Sequence, residues 1–341
     1  MSTLEIAGSI IRRALSRPDE AINLWLWGPP GVGKSTLVRA EAEKLGLSFI
    51  DFRGVTCEPT DVRGFPTVEN GVVRWARPEF LPSEGEGILF LDELGQAPGL
   101  VQAALLQLTL DRRCGEHEIP AGWRIIAASN RLEDRAGVGR LNSALLDRFV
   151  HLEVEVSAEE WSRWALDHGI APEVRAFINF RPGLLSDFDP KRRVSPTPRS
   201  WEVVSRLRKL FEDERLLQDA LSGTVGEGPA AEFLAFCRSY RELPSLEEIC
   251  RDPEAVEIPR DPGLLYALAG LGAGHGRSGT DDTIIALARL AIRLPLEFTV
   301  IALRDMLQVG CGQILRIPQV RSFLKENRDV LVAPADPRAA A

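Results

Sequence analysis

The chain has little that would take it to a membrane, to a zinc site or to an oxidising compartment. No apolar run approaches the ~18 residues that cross a bilayer. The opening stretch MSTLEIAGSIIRRALSRPDE is an amphipathic helical pattern with Arg and acids, without the apolar core of a signal peptide. The five cysteines (Cys57, Cys114, Cys237, Cys250 and Cys311) form no C-x-x-C pair, and the four histidines have no ligand spacing. They are expected to be reduced, mostly structural thiols of a cytoplasmic protein. Neither Ser nor Cys stands in a recognisable nucleophile context. Basic charge is also short: the formal net charge is −8, which argues against a general grip on nucleic acid. What remains is an ordinary globular composition over a length that suggests about two domains.

Against that background the stretch LWLWGPPGVGKSTL, Leu24 to Leu37, stands out. Leu24 to Trp27 predicts a buried strand, since a parallel strand covered on both faces needs no polar alternation. The Gly and Pro residues end it. From Lys34 a helical pattern begins, with Leu37, Val38, Ala42 and Leu45 on one side and Gly46 as its stop. The turn between them, Gly28-Pro29-Pro30-Gly31-Val32-Gly33-Lys34-Ser35, fits G-x-x-x-x-G-K-[ST]. Glycines let backbone N–H groups curl round a β-phosphate, and the helix N-terminus adds favourable partial charge. Lys34 can reach the β- and γ-phosphates, and the Ser35 hydroxyl can bind Mg²⁺. A strand before it and a helix after it mark this turn as a nucleotide site.

Further strands are predicted at Ser48–Phe52, Gly87–Asp92, Arg124–Ser129 and Phe149–Val154, with helices at Lys34–Leu45 and Pro98–Leu110 between them. The alternation predicts an α/β fold with a parallel sheet covered on both sides. A β-hairpin is expected around the Glu69-Asn70-Gly71 turn, and a second small one in RRCGEHEIPAGWRI. After about Glu155 the strand signal stops. Helices follow at SAEEWSRWALDHG, at Pro172–Phe180 and at Arg199–Phe211, with a Pro-rich connection between the last two. From about Pro259 to Leu331 the pattern is again helical, except that the Gly-rich stretch Gly270–Gly279 reads as a flexible loop. The tail APADPRAAA is expected to be disordered.

The strand GILFLDEL ends in two carboxylates at the sheet edge where α/β ligands sit. Asp92 is placed to hold Mg²⁺, directly or through water, and Glu93 to orient and deprotonate an attacking water. IIAASN ends the next strand with Asn130, whose carboxamide can position water without adding charge. Taken singly, such an Asn is a turn residue. Arg148 in LNSALLDRF and Arg199 in SPTPRSW could supply positive charge to a γ-phosphate as its bond breaks. Taken singly, each is a surface ion-pair partner. The order along the chain joins them.

That order resembles the AAA+ ATPases. Gly28–Ser35 matches Walker A, Ile88–Glu93 matches Walker B and Asn130 matches sensor 1. Arg148 matches the arginine finger and Arg199 the sensor 2 arginine. Within the superfamily the chain is similar to the MoxR group of the helix-2-insert clade. This likeness rests on the Glu69–Val73 hairpin, LDELGQAPGLVQAALLQL, the hairpin near Gly115 and ALLDRF. It departs from that group after Walker B, where Leu94-Gly95-Gln96-Ala97 replaces I-N-R-A, and it lacks the G-T-Y-P-L-P segment before Arg148. The resemblance implies ATP held by Gly28 to Ser35 and Thr36, Mg²⁺ held by Ser35 and Asp92, and catalysis by Glu93, Asn130, Arg148 and Arg199.

The resemblance further implies a core over 1–155 with the insert hairpin at about 61–78, a helical lid over 156–258, a helical extension over 259–332 and a disordered tail over 333–341. It implies a homo-oligomeric ring, most often a hexamer, with Arg148 serving a neighbouring subunit and Arg199 acting in cis or in trans. Hydrolysis would shift lid against core and move the hairpin that faces a partner. The expected activity is ATP hydrolysis that remodels or activates a protein client, with a von Willebrand factor A domain partner and a chaperone role. Two alternatives stand beside it. One is a nucleic-acid motor or loader, with Arg74, Trp75 and Arg77 of the hairpin stacking on bases, although the overall acidity counts against nucleic acid. The other is a nucleotide-gated scaffold with little turnover.

Overall fold

The computed structural model describes residues 2–17, 20, 22–134, 141–276 and 279–327, so the expected tail lies outside the described residues. The chain forms two compact units. The first is Met1–Ser157 with Ser186–Arg199, and the second is Ala158–Leu185 with Ser200–Ala341.

The first unit is built on a parallel sheet. In chain order its elements are β1 (Ser2–Thr3), α1 (Leu4–Leu15), β2 (Leu24–Trp27), α2 (Lys34–Lys44), β3 (Ser48–Arg53), α3 (Pro59–Arg63), β4 (Phe65–Glu69) and β5 (Val72–Ala76). There follow β6 (Gly87–Asp92), α4 (Gly99–Asp111), β7 (Arg113–Cys114), β8 (His117–Glu118), β9 (Trp123–Ser129), α5 (Ser143–Leu146) and β10 (Val150–Glu155). The sheet order is β1-β10-β2-β9-β6-β3, with every pairing parallel. The five strands expected from the sequence are all present. The short β1 was hidden inside the N-terminal helical pattern, because two residues carry no periodicity to read.

Residues of β2 divide strictly between the two faces. Leu24 and Leu26 pack with Ala7 and Ile11 of α1 and Val38 and Ala42 of α2. Trp25 and Trp27 pack on the other side with Val101 and Leu105 of α4, Leu145 of α5 and Phe149. That division explains the two tryptophans: one strand face must fill the space under α4 and α5, and two stacked indoles do so, with ring centroids 4.7 Å apart. The result is three layers, helices on both faces of a parallel sheet. The register sets Trp27 beside Ser129 and Arg53 beside Asp92, so neighbouring strands stop level with one another. The loop at Gly28, the carboxylates at Asp92 and Glu93, and Asn130 thus share one sheet edge.

Two hairpins decorate this unit. In the first, β4 pairs antiparallel with β5, and Asn70 and Gly71 both take positive φ (53° and 74°), as a two-residue turn of this hand requires. In the second, β7 pairs with β8. Trp75 links them: its N–H donates to Glu116 Oε1 (2.9 Å) and its carbonyl meets His117 Nε2 at 2.9 Å.

The second unit is helical. It contains α6 (Ala158–Asp167), α7 (Pro172–Phe180), α8 (Pro198–Leu210, which opens with the last two residues of the first unit), α9 (Glu214–Val225), α10 (Glu227–Tyr240) and α11 (Leu246–Arg251). It continues with α12 (Pro262–His275), α13 (Asp281–Ala291), α14 (Leu296–Gln308) and α15 (Pro318–Glu326). Phe177, Trp201, Phe233 and Phe236 make one aromatic cluster. Ile284, Leu287, Leu303 and Met306 belong to another core group.

The expected loop at Gly270–Gly279 is corrected here. Helix α12 runs through Gly270 to His275, with Gly276 as its cap. A Cβ on Gly272 would stand 2.5 Å from Met306 Sδ, and one on Gly276 would stand 2.4 Å from Val309 Cγ2. The glycines four apart therefore make a helix face that lets α14 and its C-terminal cap approach closely. Gly270 points to open space. Gly276→Ala is expected to lower the unfolding free energy by about 1–3 kcal/mol through overpacking. Gly270→Ala is expected to raise it by roughly 0.5–1 kcal/mol. Urea denaturation of the two variants checks both signs, and equal effects would remove the packing explanation.

Candidate functional site

The phosphate-loop pattern folds as its residue types demand. Gly31 (φ 76°) and Gly33 (φ 102°) both occupy left-handed backbone, which side-chain-bearing residues rarely adopt. Gly28 has a different reason, since a Cβ there would stand 2.7 Å from the carbonyl oxygen of Val154. Gly33 begins α2 with no side-chain cap, so the first-turn N–H groups of that helix face the loop without an internal acceptor. Val32 anchors the loop in the core, Pro29 is buried, and Thr36 is exposed on the first helical turn.

Lys34 is buried at the centre. Its ammonium donates to the carbonyls of Gly28 (2.7 Å) and Pro29 (3.1 Å) and to Asn130 Oδ1 (3.2 Å), which uses all three N–H bonds. Burial pulls its pKa down to about 8, opposed by the nearby carboxylates of Asp92 and Asp134 and reinforced by Arg199 and Arg131. Ser35 Oγ donates to Asp92 Oδ2 at 2.9 Å, and the Glu93 N–H donates to Asp92 Oδ1 at 3.0 Å. Glu93 itself is left-handed (φ 55°), a conformation costing a non-glycine residue on the order of 1–3 kcal/mol. That strain turns the residue after the strand away from the path the backbone would otherwise take. A hydroxyl and a carboxylate side by side suit a hard, largely hydrated cation such as Mg²⁺, which takes few protein oxygens and completes its shell with water and phosphate. No group of three or more His, Cys, Asp or Glu forms a self-sufficient metal site among the described residues.

Arg199 is drawn to the same place by the returning segment Ser186–Arg199. The Cβ that Gly31 lacks would lie 3.0 Å from Thr197 Oγ1 and 3.4 Å from Arg199 Cβ. The Pro-rich stretch expected to be a connection therefore packs on the phosphate loop. Arg148 is not brought to the group. Its Nη1 donates to the Ala144 carbonyl of the preceding helix α5, and its Nε has no partner among the described residues.

Two features of the site escaped the sequence reading. Ser129 Oγ accepts from Trp25 Nε1 (3.0 Å) and from the Gly95 N–H (2.7 Å), and donates to the Ala128 carbonyl (2.8 Å). It fastens the turn after Glu93 to the central strands. Asp134 is buried and accepts from the backbone N–H of Arg131 (2.9 Å) and from its guanidinium Nη2 (3.1 Å), closing the turn after Asn130. The only sequence signal for this pair was the spacing Arg131-x-x-Asp134.

An AAA domain model of the dynein-related subfamily matches residues 23–149, which span the loop, both carboxylates, Asn130 and Arg148. Residues 23–149 of the first unit thus match an AAA domain. Among curated proteins the chain is 27% identical over 161 residues to Holliday junction branch migration complex subunit RuvB 1 of Synechococcus sp. (strain JA-3-3Ab), covering 44% of this chain and 37% of that protein. It is 25% identical over 242 residues to RuvB of Synechococcus sp. (strain CC9311), covering 65% and 57%. The chain thus spans less than two thirds of the length of these relatives. Solved structures similar to it include the RuvB branch migration motor of Thermotoga maritima, at 17% identity and a TM-score of 0.37, covering 95% of this chain and 86% of that one. NtrX from Brucella abortus matches at 18% identity and a TM-score of 0.42, covering 89% and 68%. No described helix of the chain is long and apolar enough to cross a membrane.

The buried Lys34 of the first unit gives a pH test with a fixed sign. Its folded-state pKa, about 8, lies below its unfolded value, so between pH 8 and about 10.5 the unfolded chain binds the extra proton. The stability of the wild type relative to Lys34→Met is expected to be level below pH 8 and to rise with pH above it. Urea denaturation at stepped pH checks this, and a relative stability that falls over that window would contradict the burial argument.

Proposed function

We propose that the chain is an ATP-hydrolysing, ring-forming AAA+ machine that acts on a protein client. The observation that carries the ATPase reading is the joined pair of contacts Lys34–Asn130 and Ser35–Asp92, which bring the phosphate loop, the acidic strand end and the neighbouring strand end into one site. In this reading Gly28 to Thr36 hold the phosphates of ATP, and Ser35 and Asp92 hold Mg²⁺, which when bound neutralises charge on the phosphoryl group. Glu93 takes the proton of the attacking water, and Asn130 orients that water. Arg199, packed against Gly31 and felt by Lys34, serves the nucleotide of its own subunit. Arg148, held apart from the loop, serves the nucleotide of a neighbour, which calls for a ring, most often a hexamer. The MoxR resemblance adds a von Willebrand factor A domain partner and a chaperone role, and it divides the helical half into a lid and an extension.

The hairpin favours a protein client. Phe65 (68% exposed), Val68 (74%), Val72 and Val73 present apolar surface to solvent. The groups that could grip bases are engaged elsewhere. Arg77 donates to the carbonyls of Leu81, Pro82 and Glu118. Arg74 pairs with Glu69, and the Trp75 ring lies under the Arg63 guanidinium, 5.2 Å from its centroid. A second reading, a motor on DNA, is supported by the curated relatives, which are named as branch migration subunits.

Steady-state ATP turnover measured against protein concentration, with and without single-stranded DNA, separates them. Cooperative activity indifferent to DNA is expected; clear stimulation by DNA would put the second reading first. Glu93→Gln is expected to bind ATP and to hydrolyse it about 10²–10⁴-fold more slowly. Arg148→Ala is expected to bind ATP normally and to lose the concentration-dependent part of turnover. Unchanged turnover per subunit on dilution to monomer would rule out a finger supplied in trans.

A further inference from the structure

Trp27 is the last residue of β2 before the phosphate loop. Its Nε1–H donates to Nδ1 of His151 on β10 at 2.7 Å, and His151 Nε2 lies 3.0 Å from the carbonyl of Leu146, the last residue of α5. An indole nitrogen can only donate and a carbonyl can only accept. Both bonds therefore hold for one tautomer alone, the neutral imidazole with its hydrogen on Nε2. Trp25 stands directly across from His151 in the β2–β10 register and stacks on its ring, centroids 5.7 Å apart. At the other end of the strand, Asn23 Nδ2 donates to the carbonyls of Arg148 (3.2 Å) and Thr109 (3.0 Å).

The short segment Ser143–Arg148 is thus tied to the strand that feeds the phosphate loop at two points. One runs Trp27–His151–Leu146 and the other Asn23–Arg148. His151 is an exposed residue, so its contribution is the direction of its two bonds rather than the apolar area it buries. We propose that His151 is a positioning residue for Arg148: it passes the position of the phosphate loop, through Trp27, to the segment that presents the arginine. The proposal rests on the reading of Arg148 as the cation for a γ-phosphate. It gives one subunit a physical link between the nucleotide it holds and the arginine it offers to another.

His151→Phe keeps a stacking ring and removes both bonds, whereas His151→Gln supplies a carboxamide oxygen to accept and an N–H to donate. In hydrogen–deuterium exchange of the full chain, His151→Phe is expected to speed exchange in residues 143–149 about fivefold to tenfold, and His151→Gln to leave it near wild type. ATP turnover should follow the same order, with kcat lowered about tenfold and KM for ATP unchanged in His151→Phe. The double variant His151→Phe/Arg148→Ala should be no slower than Arg148→Ala alone. Wild-type exchange in His151→Phe, or an additional loss in the double variant, overturns the proposal and leaves Arg148 untouched. Wild-type turnover by Arg148→Ala overturns the reading of Arg148 and the proposal with it.

Discussion

A buried ammonium group governs the architecture of the first unit. Lys34 sits on a helix whose uncapped N-terminus is itself positive, inside a core that disfavours charge. Its three hydrogen bonds reach two carbonyls of the turn and one carboxamide from another strand. Each acceptor fixes something larger. The carbonyls of Gly28 and Pro29 turn inward at the start of a loop that is left-handed at Gly31 and Gly33. Asn130 arrives because β9 lies beside β2 and ends level with it. The cation therefore demands a parallel sheet with aligned C-terminal ends, and the alternating strands and helices of the chain supply one.

What was legible in the sequence was whatever is local along the chain. The phosphate loop is eight consecutive residues, the acidic strand end is two, and the apolar stretches within β2, β6 and β9 announce strands buried on both faces. The Asn70-Gly71 turn was legible for the same reason. What was not legible depends on partners far away in the chain. Gly270–Gly279 looked like a loop because glycine weakens helices; only the side chains of Met306 and Val309 show that Gly272 and Gly276 are spaced to admit a neighbour. Thr197 and Arg199 lie beyond a Pro-rich stretch, and their approach to Gly31 follows from the chain returning to its first unit.

Ser129 illustrates the same limit within a motif. Along the chain it is the unremarked residue before Asn130, yet its one oxygen serves Trp25, Gly95 and Ala128. Small hydroxyls at strand ends are common, and nothing in their spacing tells which become junctions. Here the junction joins the strand under the phosphate loop to the turn after the acidic pair. The strained backbone of Glu93 is thereby held from both sides, by Asp92 through its own N–H and by Ser129 through Gly95.

The contacts of Glu116 and His117 with the main chain of Trp75 have a further consequence. An exposed ribbon carrying Phe65, Val68, Val72 and Val73 invites another strand to zip onto its open side, the first step of edge-to-edge aggregation. Zipping needs a run of free N–H and C=O groups. Two side chains from the neighbouring hairpin occupy both groups of Trp75, the penultimate residue of β5, and so interrupt that run. The hairpin can keep a sticky face for a partner while denying its backbone to chance ones, a gatekeeping done with one carboxylate and one imidazole.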